Sequence, residues 1–285
     1  MRPILKYRGG KSKEIRFFEH YIPQHFETYF EPFFGGGSVY FYLEPQRARL
    51  NDVNERLINF YQSVSDNYEV IRRDLNEIQE IYDLNRQIYE QRKLENPGIR
   101  VEDDNEAFYY ELRDMYNHLT PQRYSDEALY YFINKTSYSG MIRYNARGEF
   151  NVPYGRYKNF NTGLLTSDHS QLLRSAEISN GDFSTLFNQM TENDFMFLDP
   201  PYDTTFSDYG NIEFTGDFDE LHHRRLASDF RNLPGKALQI IGSTPLIEEL
   251  YRPFIRERYP KSYAVNIRNR FKSESEHLII TNYTL

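Results

Sequence analysis

Asp199-Pro200-Pro201-Tyr202 follows the apolar run Phe195-Met196-Phe197-Leu198, so an acid, two rigid prolines and an aromatic ring stand where a buried strand should end. Such a group suits chemistry at an exocyclic amine. The lone pair of an amine such as adenine N6 is delocalised into its ring, and acceptors must help the nitrogen become tetrahedral before it can attack. Asp199 can accept one N6–H and the carbonyl of Pro200 the other, with the prolines fixing that carbonyl in advance. Tyr202 offers a face on which a base flipped out of a duplex can stack. A proline-rich turn that merely ends a strand is the alternative reading of the same tetrapeptide.

Phe33-Phe34-Gly35-Gly36-Gly37-Ser38 closes a second β-prone run, Thr28 to Phe33, and opens a helix. Glycines at that position let backbone approach a ligand closely, as in nucleotide folds. The segment is neither a Walker A loop nor G-x-G-x-x-G, and a tight strand-to-helix turn would also explain it. Asp52 stands seventeen residues after Gly35, near the roughly 20 at which nucleotide folds place an acid on ribose hydroxyls. Capping of the helix that begins near Asn54 is its other possible role. The seven His include no H-x-x-x-H or H-x-H spacing, and no metal site is expected.

The elements that must carry these groups read as follows. Strand, turn, helix (Val39 to Leu43), strand (Ala48 to Asn51) and helix (Asn54 to Ser65) form a β-α-β-α start, which predicts a parallel sheet. From Tyr68 to Phe132 the chain is helical and charged, with amphipathic segments such as Ile71 to Tyr89 and Asn105 to His118. Met141 to Lys158, rich in Gly, Asn and Arg, reads as a hairpin or irregular loop. Strands resume at Ala176 to Ser179, Phe195 to Leu198 and Ala237 to Ile241, followed by β-prone Phe254 to Tyr259 and His277 to Tyr283. The expectation is an α/β protein, with residues 1–67 and 167–285 forming the sheet domain and 68–166 an inserted lobe.

Composition bounds the partners. Aromatics are 16% of the 285 residues, all Tyr or Phe, enough for a large core and for surfaces on which bases could stack. The absence of Cys removes disulfides and thiolate ligands and is compatible with a reducing cytoplasm. No apolar run reaches the roughly 18 residues of a membrane span, and the N-terminus lacks a signal-peptide apolar region, so a membrane partner is not expected. A net charge of −8 argues against nucleic acid only if the charge is uniform. It is not: Lys135, Arg143, Arg147, Arg156 and Lys158 face Glu149 alone, Arg252 to Lys272 is basic, and the acid is concentrated in Asp66 to Glu106.

Leu5-Lys6-Tyr7-Arg8-Gly9-Gly10-Lys11, Glu31-Pro32-Phe33-Phe34-Gly35-Gly36-Gly37-Ser38, Asn51-Asp52, Gly181-Asp182-Phe183 and Asp199-Pro200-Pro201-Tyr202 resemble, in this order, the motifs of the Dam-type, or D12 class, N6-adenine DNA methyltransferases. The resemblance covers most of the chain. It implies a Rossmann-like catalytic sheet dependent on S-adenosyl-L-methionine, an inserted and mainly helical target-recognition lobe, and methylation of adenine in a short duplex DNA sequence by base flipping. Tyr7, Lys11, Phe33, Gly35, Gly37, Asp52, Asp182, Phe183 and Asp199 would then line the cofactor site, and Lys6 would approach a target base. Tyr138 to Asn145 and Gly148 to Tyr157 resemble the family's reading region. That likeness implies DNA contacts from Ser139, Met141 and Pro153, a guanine read by Arg143, and a wedge at Tyr138; Lys158, in the basic run Arg156-Tyr157-Lys158, is expected to touch the DNA backbone. Tyr7 stands where relatives commonly carry Trp, which should keep the aromatic contact to the cofactor adenine, and Ser139 stands where many carry Asn, which leaves the recognised sequence open, GATC included.

The resemblance further implies a cytoplasmic enzyme of bacterial or phage origin, and a restriction endonuclease as a possible companion. Two alternatives stand beside it. Methylation of RNA or of cytosine N4 would use the same cofactor fold, although cytosine-directed relatives more often resemble Ser-Pro-Pro-Tyr. A non-catalytic DNA-binding subunit is the other, and intact Asp52, Asp199 and Tyr202 count against it.

Overall fold

The computed structural model describes residues 1–202, 218–261 and 275–285. Residues 262–272 of the basic stretch noted above therefore lie outside the described residues. Two units divide the chain: Met1–Gly10 with Asn59–Arg174, and Lys11–Ile58 with the described residues from 175 onward.

Helix α1 (Ile15–Phe18) leads into β1 (Tyr29–Glu31), α2 (Ser38–Leu43), β2 (Ala48–Asp52) and α3 (Glu55–Asp66). Helices α4 (Tyr68–Glu95), α5 (Asp104–Tyr116), α6 (Asp126–Thr136) and α7 (Ser167–Arg174) follow without an intervening strand. The sheet resumes with β3 (Ala176–Asn180), α8 (Ser184–Phe187) and β4 (Phe195–Leu198), then α9 (Glu220–Arg231), β5 (Lys236–Gly242), α10 (Pro245–Tyr251), β6 (Ile255–Lys261) and β7 (Ser275–Thr281).

The seven strands form one sheet in the order β3-β2-β1-β4-β5-β7-β6. β3, β2, β1, β4 and β5 run parallel, while β7 is antiparallel to both β5 and β6. This is the α/β sheet that the β-α-β-α start predicts. Parallel strands are covered on both faces, which is why Phe195–Leu198 is a continuous apolar run, buried at all four positions. Leu226, Ala227 and Phe230 of α9 and Ile247, Leu250 and Tyr251 of α10 join Met196 and Leu198 in one core cluster. Each large side chain buried this way stabilises the unit by roughly 1.5–3 kcal/mol. Strand order reverses at β1, flanked by β2 on one side and β4 on the other. The crevice beyond the carboxyl ends of β1 and β4 is therefore the switch point where such sheets bind ligands.

In the other unit α4 buries Ile71, Leu75, Ile78 and Tyr82, a single stripe at helical spacing, and α6 is buried from Ala128 to Thr136. Tyrosines fasten the following loop to these helices. The Tyr82 hydroxyl meets Tyr154 Oη at 2.7 Å and donates to the Tyr157 carbonyl at 2.6 Å, and Tyr109 donates to the Val152 carbonyl at 2.8 Å. Tyr116 and Tyr144 meet at 2.9 Å. Much of the tyrosine excess thus serves as core with a polar tip rather than as exposed stacking surface. The loop itself has only two isolated antiparallel bridges, Ser137 with Tyr154 and Tyr144 with Phe150, an irregular hairpin as expected.

The units divide at 10/11, 58/59 and 174/175, against 67/68 and 166/167 read from composition. The first ten residues belong with the helices because Asn134 of α6 brackets Lys6. It accepts from the Lys6 amide and donates to the Lys6 carbonyl, both at 2.8 Å, and Lys135 Nζ donates to the Ile4 carbonyl. Ile4 and Leu5 are buried there. Nothing in the local sequence of an N-terminal decapeptide announces such a partner.

Candidate active site

Asp199 sits at the carboxyl end of β4, and Lys11 reaches it from the turn that opens α1. Lys11 Nζ donates to Asp199 Oδ1 at 2.7 Å and Oδ2 at 2.6 Å, and to the Tyr202 hydroxyl at 2.8 Å. The Lys11 carbonyl accepts from the amides of Glu14 and Ile15, which fixes where this side chain starts. Lys11 is 1% exposed, and Asp199 is its ion-pair partner. Burial pushes the Asp199 pKa up, and the Lys11 ammonium works against that rise.

Glycines shape the neighbouring turn after β1. Gly35 and Gly37 have φ of 48° and 63°, the left-handed region, and Gly37 caps α2. A Cβ at Gly37 would also come within 2.7 Å of the Phe34 ring. Asp52, at the end of β2, accepts from the Gly35 amide at 2.8 Å and the Asn54 amide at 3.0 Å. Burial raises its pKa, and these hydrogen bonds offset part of the rise. The helix-capping role open to Asp52 falls to Asn54, whose side chain accepts from the Leu57 amide at 3.0 Å. Asn51 donates to the carbonyls of Pro32 and Gly181 at 3.2 and 2.9 Å, linking the ends of β1, β2 and β3.

Beyond β3, Asp182 accepts from the Ser184 amide and hydroxyl and pairs with Arg225 at 2.5 Å. Burial opposes its ionisation, but these partners hold its pKa below the usual range. The rings of Phe33 and Phe183 lie 5.2 Å apart, Phe218 stands edge-on to Phe33 at 5.7 Å, and the Arg225 guanidinium covers Phe183 at 4.3 Å. Aromatic faces beside a carboxylate acceptor suit an aminopurine, and Asp52 is a carboxylate of the kind that takes ribose hydroxyls. This donor set fits S-adenosyl-L-methionine.

The sheet unit thus brings together Lys11, Phe33, Gly35, Gly37, Asp52, Asp182, Phe183, Asp199, Pro200 and Tyr202. Phe218, Arg225, Glu14, Tyr259 and His277 join them, and sequence reasoning had passed these over. Tyr7, Lys6, Tyr138, Ser139, Met141, Arg143, Pro153 and Lys158 lie in the helical unit. There Lys6 Nζ donates to the Lys135 carbonyl at 2.7 Å and lies 3.8 Å above the Tyr157 ring. The Tyr138 amide donates to the Pro153 carbonyl, and Tyr138 is 54% exposed. Ser139 takes a left-handed φ of 55°. Exposed Arg143 donates from Nε to Asn151 Oδ1 at 2.8 Å, and Lys158 is exposed. Among the described residues there is no group of three His, Asp or Glu placed to hold a metal, and no helix long and apolar enough to cross a membrane.

A glycine-rich turn after β1 and an acid-tipped β4, at the switch point of a sheet in which β7 runs antiparallel between β5 and β6, define a Rossmann-like methyltransferase. Comparison with known proteins makes the class specific. Residues 7–266 match the D12 class N6 adenine-specific DNA methyltransferases, and the chain belongs to that family. It is 34% identical to Type II methyltransferase M.CviBI of Paramecium bursaria Chlorella virus NC1A, over 99% of this chain and all of the relative. Type II methyltransferase M.MjaIII of Methanocaldococcus jannaschii is 30% identical over 99% of each chain. The DNA adenine methylase of Haemophilus influenzae is 27% identical over 95% of this chain and 91% of its own length. The protein is therefore an adenine-specific DNA methyltransferase, and its family implies S-adenosyl-L-methionine as methyl donor.

Proposed function

We propose that Asp199, Pro200 and Tyr202 form the catalytic group for methylation of adenine N6 within a short duplex DNA sequence. The observation that carries this is Asp199 at the tip of β4 with both oxygens held by the buried Lys11. Bound S-adenosyl-L-methionine supplies an electrophilic methyl group. The Lys11 ammonium opposes the rise that burial imposes on the Asp199 pKa, and each carboxylate oxygen retains a lone pair for an N6–H. The Pro200 carbonyl takes the second hydrogen, so the nitrogen lone pair turns out of the ring plane. Tyr202 stacks on the flipped base. Phe33, Phe183, Asp182, Asp52 and the Gly35–Gly37 turn hold the cofactor.

The helical unit, centred on residues 68–166, reads the target: Arg143 pairs with a guanine, Tyr138 wedges the stack, Lys6, Ser139 and Met141 approach bases, and Pro153 and Lys158 lie along the duplex. Type II names among the relatives support a restriction endonuclease as companion. Plasmid DNA methylated by the purified protein, from a host without adenine methylation, tests this when sequenced directly. N6-methyladenine at one recurring sequence is expected; methyl groups on cytosine, or scattered without sequence, would overturn it.

A further inference from the structure

Tyr202 is gripped twice, and both grips originate in residues 11–14. Lys11 holds its hydroxyl at 2.8 Å. The His277 ring stands against its ring at 5.2 Å between centroids and 71° between planes, the edge-to-face contact aromatic rings favour. His277 is wholly buried, and its Nδ1 lies 2.8 Å from Glu14 Oε2. Glu14 is itself 4% exposed and also accepts from the Tyr259 hydroxyl at 2.8 Å and from Lys261 Nζ. A carboxylate accepts only, so Nδ1 of His277 donates and the imidazole cannot turn.

Strand register puts the histidine there. His277 of β7 lies opposite Gly242 of β5 and Tyr259 of β6. Gly242 presents no side chain toward Tyr202, and a Cβ there would only just touch the ring, at 4.0 Å. The wall of the Tyr202 ring on this side is therefore His277.

We propose that His277, held by Glu14, is a positioning residue that sets the pose of the Tyr202 ring for stacking on the target base. This rests on the stacking role assigned to Tyr202 above. A purely structural Glu14–His277 pair, tying β7 to the start of α1, would matter equally whether or not Tyr202 is present. A positioning residue acts through Tyr202, and its effect vanishes when the ring is removed.

The test is a double-mutant cycle on the full chain, with plasmid DNA and saturating S-adenosyl-L-methionine. His277→Gln keeps a donor for Glu14 and removes the ring, while His277→Phe keeps a ring and removes the donor. His277→Gln is expected to lower kcat severalfold, up to about tenfold, with cofactor affinity by calorimetry unchanged, and to add nothing in a Tyr202→Ala background. His277→Phe should recover most of the loss. An equal kcat loss from His277→Gln in both backgrounds, or none in the wild-type one, would overturn the proposal. Should His277→Gln fail to fold, His277→Phe decides in the same cycle, since a large loss that persists without Tyr202 is equally fatal. Undiminished kcat in Tyr202→Ala alone would remove the stacking assignment itself, a result distinct from additivity.

Discussion

Lys11 donates to both oxygens of Asp199, so the acid proposed to accept an N6–H also balances an ammonium that is 1% exposed. Deleting one partner of such a pair costs about 3–5 kcal/mol because the remaining charge stays buried. Asp199→Ala should therefore lose activity and stability together, whereas Asp199→Asn keeps the shape and an acceptor oxygen. Asp199→Asn is expected to reduce methyl transfer at least about a hundredfold. Its urea midpoint should lie above that of Asp199→Ala. Turnover near wild type in folded Asp199→Asn protein would remove Asp199 from the mechanism. Asp52 is a second such residue, since its carboxylate secures the Gly35 amide besides its proposed ribose contact. Calorimetry should show Asp52→Ala binding S-adenosyl-L-methionine more weakly by about 1–3 kcal/mol; unchanged affinity would leave Asp52 as a brace for the turn alone.

At the scale of elements, the short turn from Lys11 into α1 fastens the far edge of the sheet through Glu14, which binds His277 of β7 and Tyr259 and Lys261 of β6. Burial alone would raise the Glu14 pKa, but hydrogen bonds from His277, Lys261 and Tyr259 and the nearby Lys11 charge bring it from an ordinary 4.5 down to about 2. A carboxylate whose pKa falls on folding adds stability that is fully present above about 4.5 and lost as pH drops toward 2. That contribution is about 3 kcal/mol at neutral pH. Glu14→Gln should thus be clearly less stable than wild type at pH 6 in urea titrations, with the gap narrowing by pH 3.5. A gap independent of pH would mean that Glu14 contributes by packing rather than by charge.

Over the whole molecule, a chain of net charge −8 that acts on DNA must meet it through local clusters of cations, and the loop from 141 to 158 presents Arg143, Arg147, Arg156 and Lys158 exposed. Arg143→Ala should relax one position of the methylated sequence, by about 1–3 kcal/mol of discrimination. Lys158→Ala should weaken all sequences alike and lower the salt slope by about one unit. Competition binding against single-base variants at several salt concentrations checks both; an unchanged ranking of variants in Arg143→Ala would make it one more phosphate contact. The groups legible in the sequence are those marked by a local pattern: the acid ending β4, the glycine turn after β1, and Asp52 closing β2 are each announced by an apolar run and its terminator. Position alone lets Asp52 or Asn54 cap α3, and the cap is Asn54, because only backbone geometry decides which of two neighbouring side chains reaches the Leu57 amide. The place of the first ten residues was likewise hidden, since it depends on Asn134, 128 positions away from Lys6. Glu14 and His277 are 263 positions apart, and no periodicity relates them. The sequence by itself determined the strands, their acids and their glycines, because burial and backbone freedom act on neighbouring residues. Only the tertiary structure decided that His277 stands against Tyr202, because that contact exists through the register of β5, β7 and β6 and through a carboxylate brought from the other end of the chain.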